Sequence, residues 1–327
     1  MYLLASLFVG VLSATGFEGK QTAPPIEDVI AHIQESERGL DNIQITAKYS
    51  SKRWNRSSEK WEDGGDAKFT AWLDGLPKSK MKIDFDRRRT VWTNGAAPFH
   101  EDSVVLAYNG RTGQTRTSTL RGTVTADRPN MGVARFGSGW SVSLYGAGER
   151  KGLRFSEMLR GMIEDANTTV SLAQTSFDGL PVLQVIAVEG QGTITYEWNL
   201  DPKRNYAVLR CKRKEGSMCS EIVIEELIQV APSVYYPTKG IYNMVVCSNG
   251  DPVAQNSYQV LEIAANTPDL SDEVFNIQFP AGTVIYDEIL GNSYEIVPDL
   301  EELSKGGPQL FMTSESFAER LQHSQKN

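Results

Sequence analysis

The sequence predicts a mainly β protein of the α+β class. We expect a large antiparallel, partly closed β-barrel, with an N-terminal helix and a central helix packed on the concave face. About a dozen short runs of alternating apolar and polar residues predict half-buried strands. Turn dipeptides such as Asn94-Gly95 and Asn109-Gly110 separate these runs. Because the connections are short, neighbouring strands are expected to pair antiparallel in one twisted sheet.

The chain begins with an apolar segment, residues 1–12, that is too short to span a bilayer, which needs about 20 residues. Ala14-Thr15-Gly16 follows and places small residues where a signal peptidase cleaves. We therefore expect residues 1–16 to be a signal peptide and residues 17–25 to be a linker. No Lys or Arg precedes the apolar run, so a buried N-terminal strand is the alternative. A leader predicts an exported protein, soluble in the periplasm or cell envelope, with no transmembrane segment after cleavage.

Two segments have helical periodicity. Residues 26–38 form the first, in which Ile26, Val29 and Ile33 share one stripe and Gly39 follows as a stop signal. Residues 153–166 form the second, and a helix inside a β meander must bury its stripe against the inner face of the curved sheet. Strand-like runs resume after it, and residues 275–279 and 283–287 are expected to pair as the last two strands. The prediction is a single domain of residues 26–299, followed by a polar tail of residues 300–327.

Composition argues against several functions. The net charge is −8 and the pI is about 5.1, so we expect no nucleic-acid partner. The chain has three histidines, and none lies in a catalytic or zinc-binding signature. Asp84 and Asp86 share one strand face, but three arginines follow them directly, which is typical of a solvated charged surface. We predict a non-enzymatic protein without a cofactor or metal, and a hydrolase only if a histidine clusters with these two carboxylates.

Aromatic residues on the predicted strands and Met residues on the second helix indicate where a ligand cavity would lie. A sheet curled around more space than its side chains fill encloses an apolar pocket. An ordinary packed core is the alternative. The candidate cavity residues are Trp72, Phe85, Trp92, Tyr196, Trp198, Phe155, Met158 and Met162.

Three cysteines leave an odd thiol. Cys211 and Cys219 lie symmetrically about Glu215 in a predicted hairpin, so we expect them to form a cross-strand disulfide in an oxidising compartment. Cys247 would then be a buried free thiol. The alternative is that Cys211 and Cys219 are small core residues.

Three short stretches resemble a known superfamily. They are "YEWNLDPKRNYAVLR" at residues 196–210, "YYPTKGIY" at residues 235–242 and "FPAGTVIYDE" at residues 279–288. These stretches, and the order of leader, helix, meander, helix and second meander, are similar to the LolA/LolB-like lipoprotein carriers. That superfamily includes RseB-like regulators and uncharacterised planctomycete-type exported proteins. The resemblance implies an unclosed antiparallel barrel whose helices cover a hydrophobic cavity, which holds acyl chains in the carriers.

The sequence and the resemblance together predict a non-enzymatic periplasmic binding protein. In the first hypothesis it holds a lipid, an acyl chain or another apolar ligand in the barrel, as in lipoprotein transport. Its partner is then that ligand or the acyl chain of a lipoprotein. In the alternative hypothesis it is an envelope protein-interaction or stress-sensing protein, RseB-like and without lipid cargo. A tightly packed interior would favour the alternative. None of the carriers' functional residues matches this chain one by one, so none is transferred.

Overall fold

The computed structural model describes residues 23–74, 80–90, 99–117, 120–126, 155–268 and 270–297. The helices among them are α1 (Ile26–Arg38) and α2 (Phe155–Glu164). The strands are β1 (Asn42–Asn55), β2 (Lys60–Asp74), β3 (Lys80–Thr90), β4 (Phe99–Tyr108), β5 (Gly113–Thr117), β6 (Arg121–Thr125), β7 (Thr168–Phe177), β8 (Leu180–Glu189), β9 (Ile194–Asp201), β10 (Ala207–Glu215), β11 (Met218–Ala231), β12 (Val234–Val246), β13 (Pro252–Ala265), β14 (Val284–Asp287) and β15 (Asn292–Glu295).

The fifteen described strands belong to one sheet, in the order β15-β14-β6-β5-β4-β3-β2-β1-β13-β12-β11-β10-β9-β8-β7. Neighbours run antiparallel, except that β14 lies parallel to β6. The two strands at the ends of the order, β15 and β7, do not pair with each other, so the sheet is not closed. The predicted fold class, a mainly β protein with one large, partly closed antiparallel sheet, is confirmed.

Two meanders of sequential hairpins meet where β1 pairs with β13. The join is reinforced at one end by the side chains of Asn42 and Asn266. Asn42 Oδ1 accepts from the backbone N–H of Thr267 at 2.9 Å, and Asn266 Nδ2 donates to the carbonyl of Gly39 at 2.8 Å. These bonds satisfy the carbonyl of Gly39, where the chain turns from α1 into the sheet, and the N–H of Thr267, just after β13.

Helix α1 has the predicted bounds. Val29, Ile30 and Ile33 are its buried stripe, and Glu27 and Asp28 in the first turn interact favourably with the helix dipole. The helix ends at Gly39, where the chain passes close to β12. A Cβ on Gly39 would lie 2.7 Å from Val234 Cγ2, so a side chain would push the helix off the sheet.

Both helices pack on one face of β8, β9 and β10, which we call the inner face. Helix α2 is described from Phe155 to Glu164, so it ends two residues earlier than predicted, and it buries one side among the strands. The side chains of this first core include Val29, Ile33, Phe155, Met158, Leu159, Met162, Leu183, Val185, Tyr196, Trp198, Leu200 and Cys211. The predicted central helix is therefore present at the predicted place in the chain.

A second core continues along the inner face of the other strands. Phe69 lies opposite Phe85 with ring centroids 5.6 Å apart, and Tyr49 lies opposite Tyr258 across the β1–β13 join. Burial raises the pKa of the Tyr49 phenol. The buried members are Ile43, Ile45, Ala47, Tyr49, Ala67, Phe69, Ala71, Phe85, Val104, Leu106, Ile222, Ile224, Tyr236 and Tyr258.

The opposite, outer face of β4 and β5 is covered by residues 270–283, which we call the C-terminal strap. Ile277 and Phe279 of the strap pack on Val105 and Ala107. The backbone N–H of Ile277 donates to Gln114 Oε1 at 2.6 Å. The prediction of a strand at residues 275–279 is therefore wrong. The Gln114 side chain accepts the hydrogen bond from the Ile277 N–H that a neighbouring strand would accept in a sheet. The strap then leads into β14, which pairs with β15 and β6.

Candidate functional site

Five of the predicted cavity residues meet in the first core. Tyr196 and Trp198 of β9 stack with ring centroids 5.2 Å apart, and Phe155 of α2 tilts against Trp198 at 5.5 Å. Met158 and Met162 complete the group, and Met162 and Trp198 are both 0% exposed. These side chains fill the space between helix and sheet rather than lining an open one.

The other three predicted residues do not join this group. Phe85 is buried in the second core, opposite Phe69. Trp72 is on the outer face because side chains alternate along β2, and its ring lies 5.3 Å from Lys82 Nζ. Trp92 lies outside the described residues. Ligand binding by this set of residues stays a prediction.

A small cavity of about 70 Å³ lies near the first turn of α2. It has room for about two water molecules, since each takes about 30 Å³ in the liquid. Glu37 of α1 borders it and accepts a hydrogen bond from the backbone N–H of Ser156 at 3.1 Å, which caps α2. Its lining residues are Ile33, Ser36, Glu37, Phe155, Asn205, Tyr206, Ala207, Val208, Leu227, Tyr235 and Pro237.

The disulfide joins different cysteines from those predicted. Cys219 of β11 is bonded to Cys247, just after β12, and their Cα atoms are 5.1 Å apart. Cys211 is a free, buried thiol, and desolvation raises its pKa. The predicted Cys211–Cys219 bond is therefore wrong, and Cys247 is not the odd thiol.

The disulfide prediction was wrong because it placed the centre of the hairpin at Glu215, whereas Glu215 pairs with Met218. The turn between β10 and β11 is Gly216-Ser217, with Gly216 at a positive φ of 55°. Lys214 therefore faces Cys219, and Cys211 faces Ile222 instead. Two cysteines so far out of register cannot bond without moving the strands.

An open cleft of about 370 Å³ lies on the outer face of β9–β12, beside the disulfide. Its volume is in the range of ligand sites, which is about 300–1,000 Å³. Sequence reasoning missed this site. The signal for it was charge on neighbouring strands, since Lys212 of β10 faces Glu197 of β9 and Glu221 of β11. The cleft residues are Thr195, Glu197, Lys212, Arg213, Lys214, Cys219, Ser220, Glu221, Asn243 and Val245.

A charge network holds the floor of this cleft. Arg210 Nε donates to Glu221 Oε1 at 2.5 Å, and its Nη1 lies 3.7 Å from Glu197 Oε1. Lys212 Nζ is 4.0 Å from the same Glu221 oxygen. Gln255 of β13 donates to Asn243 Oδ1 at 3.0 Å and fixes that amide. The arrangement offers carboxylates and ammonium groups side by side on rigid strands, which suits a polar or charged ligand surface.

The carboxylate pair considered as a hydrolase site lies elsewhere, on the outer face of β3. Asp84 Oδ2 is 4.0 Å from Lys82 Nζ. Burial raises the Asp84 pKa, and Lys82 and Arg116 partly oppose that effect. His32 is exposed on α1, whereas the His100 side chain and all of His323 lie outside the described residues. Among the side chains that the structure describes, no group of three or more His, Cys, Asp or Glu could hold a metal ion.

Replacing Asp84 with Asn is expected to raise the thermal midpoint at pH 7. The folded-state pKa is above the ordinary value of 3.8, so folding disfavours the charged carboxylate, and an amide removes that penalty. The gain should shrink as the pH falls through the folded-state pKa and vanish below 3.8, where the acid is neutral in both states. Thermal scans between pH 3 and pH 7 measure this, with Asp86→Asn as the control. A gain of equal size at every pH would contradict the explanation.

Comparisons with known proteins find distant structural similarity only. No family model and no curated protein matches the sequence. MucB in complex with MucA(peri) is 10% identical with a TM-score of 0.25, covering 77% of this chain and 59% of that chain. LprF from Mycobacterium bovis is 12% identical with a TM-score of 0.24, covering 78% and 96% respectively. The Pseudomonas aeruginosa MucA/MucB complex is 9% identical with a TM-score of 0.21, covering 73% and 99%.

TM-scores this low support no argument about the function of this chain. The chain also spans less than two thirds of the first of these three structures. In the part of the chain that the structure describes, neither helix is long and apolar enough to cross a membrane.

Proposed function

We propose that this is an exported, non-enzymatic binding protein that recognises another envelope protein through its outer surface. The observation that carries the proposal is the filled first core. Tyr196, Trp198 and Met162 are no more than 3% exposed, so the place predicted for an acyl chain is occupied by side chains. Export rests on the apolar leader of residues 1–12 and the small residues after it.

The outer cleft is the surface that we assign to the partner. Its lysines, Lys212 and Lys214, lie beside Glu197 and Glu221 on β-strands that hydrogen bonds and ion pairs hold in place. A mixed-charge surface of this kind discriminates between partners by charge pattern, because like charges brought together are disfavoured. The expected partner surface is therefore polar, with both signs of charge, rather than an aliphatic chain.

A second candidate function is the binding of an apolar ligand. The observation in its favour is the 70 Å³ cavity, where Ile33, Phe155 and Leu227 supply an apolar lining. An acyl chain would need α1 to move away from the sheet. Two bonds oppose that movement: Ser36 Oγ donates to the carbonyl of Ser233 at 2.8 Å, and Asn205 Nδ2 donates to the carbonyl of His32 at 3.0 Å.

A photo-crosslinking amino acid at position 214 is expected to trap one discrete protein in the envelope of the native host. Lys214 is exposed at the cleft, so a partner seated there lies within reach of the probe. The matched control is the same probe at Lys48, an exposed lysine of β1 away from the cleft. Adducts are identified by mass spectrometry. The same set of adducts at both positions, or none at position 214, would contradict the proposal.

Organic extraction of the purified mature protein separates the two candidates. The protein-binding function predicts no lipid in stoichiometric amount, whereas the apolar-ligand function predicts about one ligand per chain. Mass spectrometry of the extract gives the ratio. One lipid per chain, retained when the protein carries Lys214→Glu, would favour the apolar ligand and overturn the first proposal.

A further inference from the structure

Strand β7 lies at the edge of the described sheet, and its own residues include none of the features that usually protect an edge. It pairs only with β8 among the described strands, and its ten residues pair without a bulge. Its sequence, TTVSLAQTSF, contains no proline and no charged residue, although 23% of the chain is charged. Soluble proteins usually guard such edges with lysine, proline, bulges or a covering segment, because a bare edge pairs with other strands.

The free hydrogen-bonding groups of β7 belong to alternate residues. The N–H of Gly190 donates to the carbonyl of Asn167 at 3.2 Å, so residue 167 belongs to a hydrogen-bonded pair with the β8 side. The direction of backbone groups alternates along an antiparallel strand. The odd-numbered residues of β7 therefore bond to β8, and the even-numbered ones present their N–H and C=O at the open edge. These are Val170, Leu172, Gln174 and Ser176. Thr168 presents only its carbonyl, because its N–H donates to the carbonyl of Asp165 at 2.9 Å.

We propose that two copies of this chain pair antiparallel through β7, related by a twofold axis at Leu172. A hydrogen-bonded pair needs an even-numbered residue from each copy. Centring the pairing on Leu172 is the one register that uses the four open N–H groups together with the carbonyls of all five even-numbered residues, Thr168 included. Leu172 then pairs with its counterpart, Val170 with Gln174 of the second copy, and Thr168 with Ser176 of the second copy. Closed twofold pairing uses the same edge of both chains and leaves no free β7 edge to propagate.

Side chains across this pairing are compatible. On the outer side, Thr169 faces Thr175 of the second copy and Ser171 faces Ala173, which are small residues, and all four are exposed in the single chain. On the inner side the half-buried Leu172 meets its counterpart, next to the first core. Since no charge is present on the strand, self-pairing brings no like charges together within it. This self-match favours a second copy over an unrelated strand.

Like charges do meet at the two ends of the paired strands. In this register Asp178 of one copy is opposite residue 166 of the other, one residue from Asp165. Salt screens exposed charges at this range. The dimer is therefore expected to become tighter, not weaker, as the salt concentration rises.

A pair of introduced cysteines tests the register. Thr169 and Thr175 are six residues apart on one strand, roughly 20 Å, so Thr169→Cys/Thr175→Cys cannot bond within a chain. Between two copies the positions are opposite each other at both ends of the pairing. Mild oxidation should give a covalent dimer that dithiothreitol reverses. Thr169→Cys and Thr175→Cys alone are the controls, since each faces threonine in the proposed register. No dimer from the double variant, or as much from the single variants, would overturn the proposal.

Analytical ultracentrifugation of the whole mature protein is the second measurement. Gln174→Pro removes the outward N–H of an exposed residue without taking a bond from β8, and should weaken the dimer roughly thirty-fold through one lost bond per copy. Gln174→Ala keeps that N–H and should leave the dimer unchanged. The native protein sedimenting as a monomer throughout the micromolar range, or equal dimer affinities for both variants, would reject the proposal.

Discussion

Replacing Trp198 with alanine is expected to lower the free energy of unfolding by about 3–5 kcal/mol, close to the whole stability of a marginal domain. Trp198 is fully buried and touches both Tyr196 of its own strand and Phe155 of α2. Alanine would leave a large void between sheet and helix, because the tightly packed neighbours relax only in part. Urea unfolding monitored by circular dichroism measures the loss.

Trp72→Ala is the matched control for this substitution. It removes the same side chain from the outer face, where Trp72 is half-buried under Lys82. Less apolar surface returns to water, so the expected loss is below about 2 kcal/mol. Equal losses for the two variants would show that Trp198 is not at the centre of the core.

Replacing Cys219 and Cys247 with alanine is expected to cost about 3–4 kcal/mol under oxidising conditions. The bond closes a segment with a sequence separation of 28, and in the chain-entropy description such a loop restricts the unfolded chain by about that amount. Strands β11 and β12 keep their ladder in the variant, so the effect should appear mainly in the midpoint of unfolding. The measurement is urea unfolding with and without dithiothreitol; the reductant should affect only the native protein.

Cys211→Ala distinguishes the observed bond from the one the sequence suggested. Because Cys211 is a free buried thiol, its removal should leave the Cys219–Cys247 bond intact in a peptide map. A map without that bond in the Cys211→Ala protein would mean that Cys211 takes part in the pairing.

Local patterns predicted those parts of the fold that neighbouring residues determine. The bounds of α1 could be read directly because the apolar stripe begins just after Pro25 and Gly39 follows the last turn as a stop signal. The placement of Trp72 was missed because aromatic residues were grouped by type, although alternation along β2 separates Trp72 from Phe69. The disulfide was missed because its partner comes from the next hairpin.

Other errors have a tertiary origin. Residues 275–279 alternate apolar and polar like a strand, yet the Gln114 side chain and the apolar surface of β4 hold them as a strap. The outer cleft needs four strands in register before its charges converge. Neither feature is encoded within a short window of sequence, so periodicity alone could not give it.

The position of β13 has a consequence for biosynthesis. Pro252–Ala265 is late in the chain but lies in the middle of the sheet, between β1 and β12. A ribosome that has made only the first 251 residues has therefore produced two separate ribbons, each with a bare inner edge. Those edges are the kind that pair with other chains. The nascent protein stays exposed to such encounters until β13 has been made, and a product truncated before Pro252 would keep that exposure permanently.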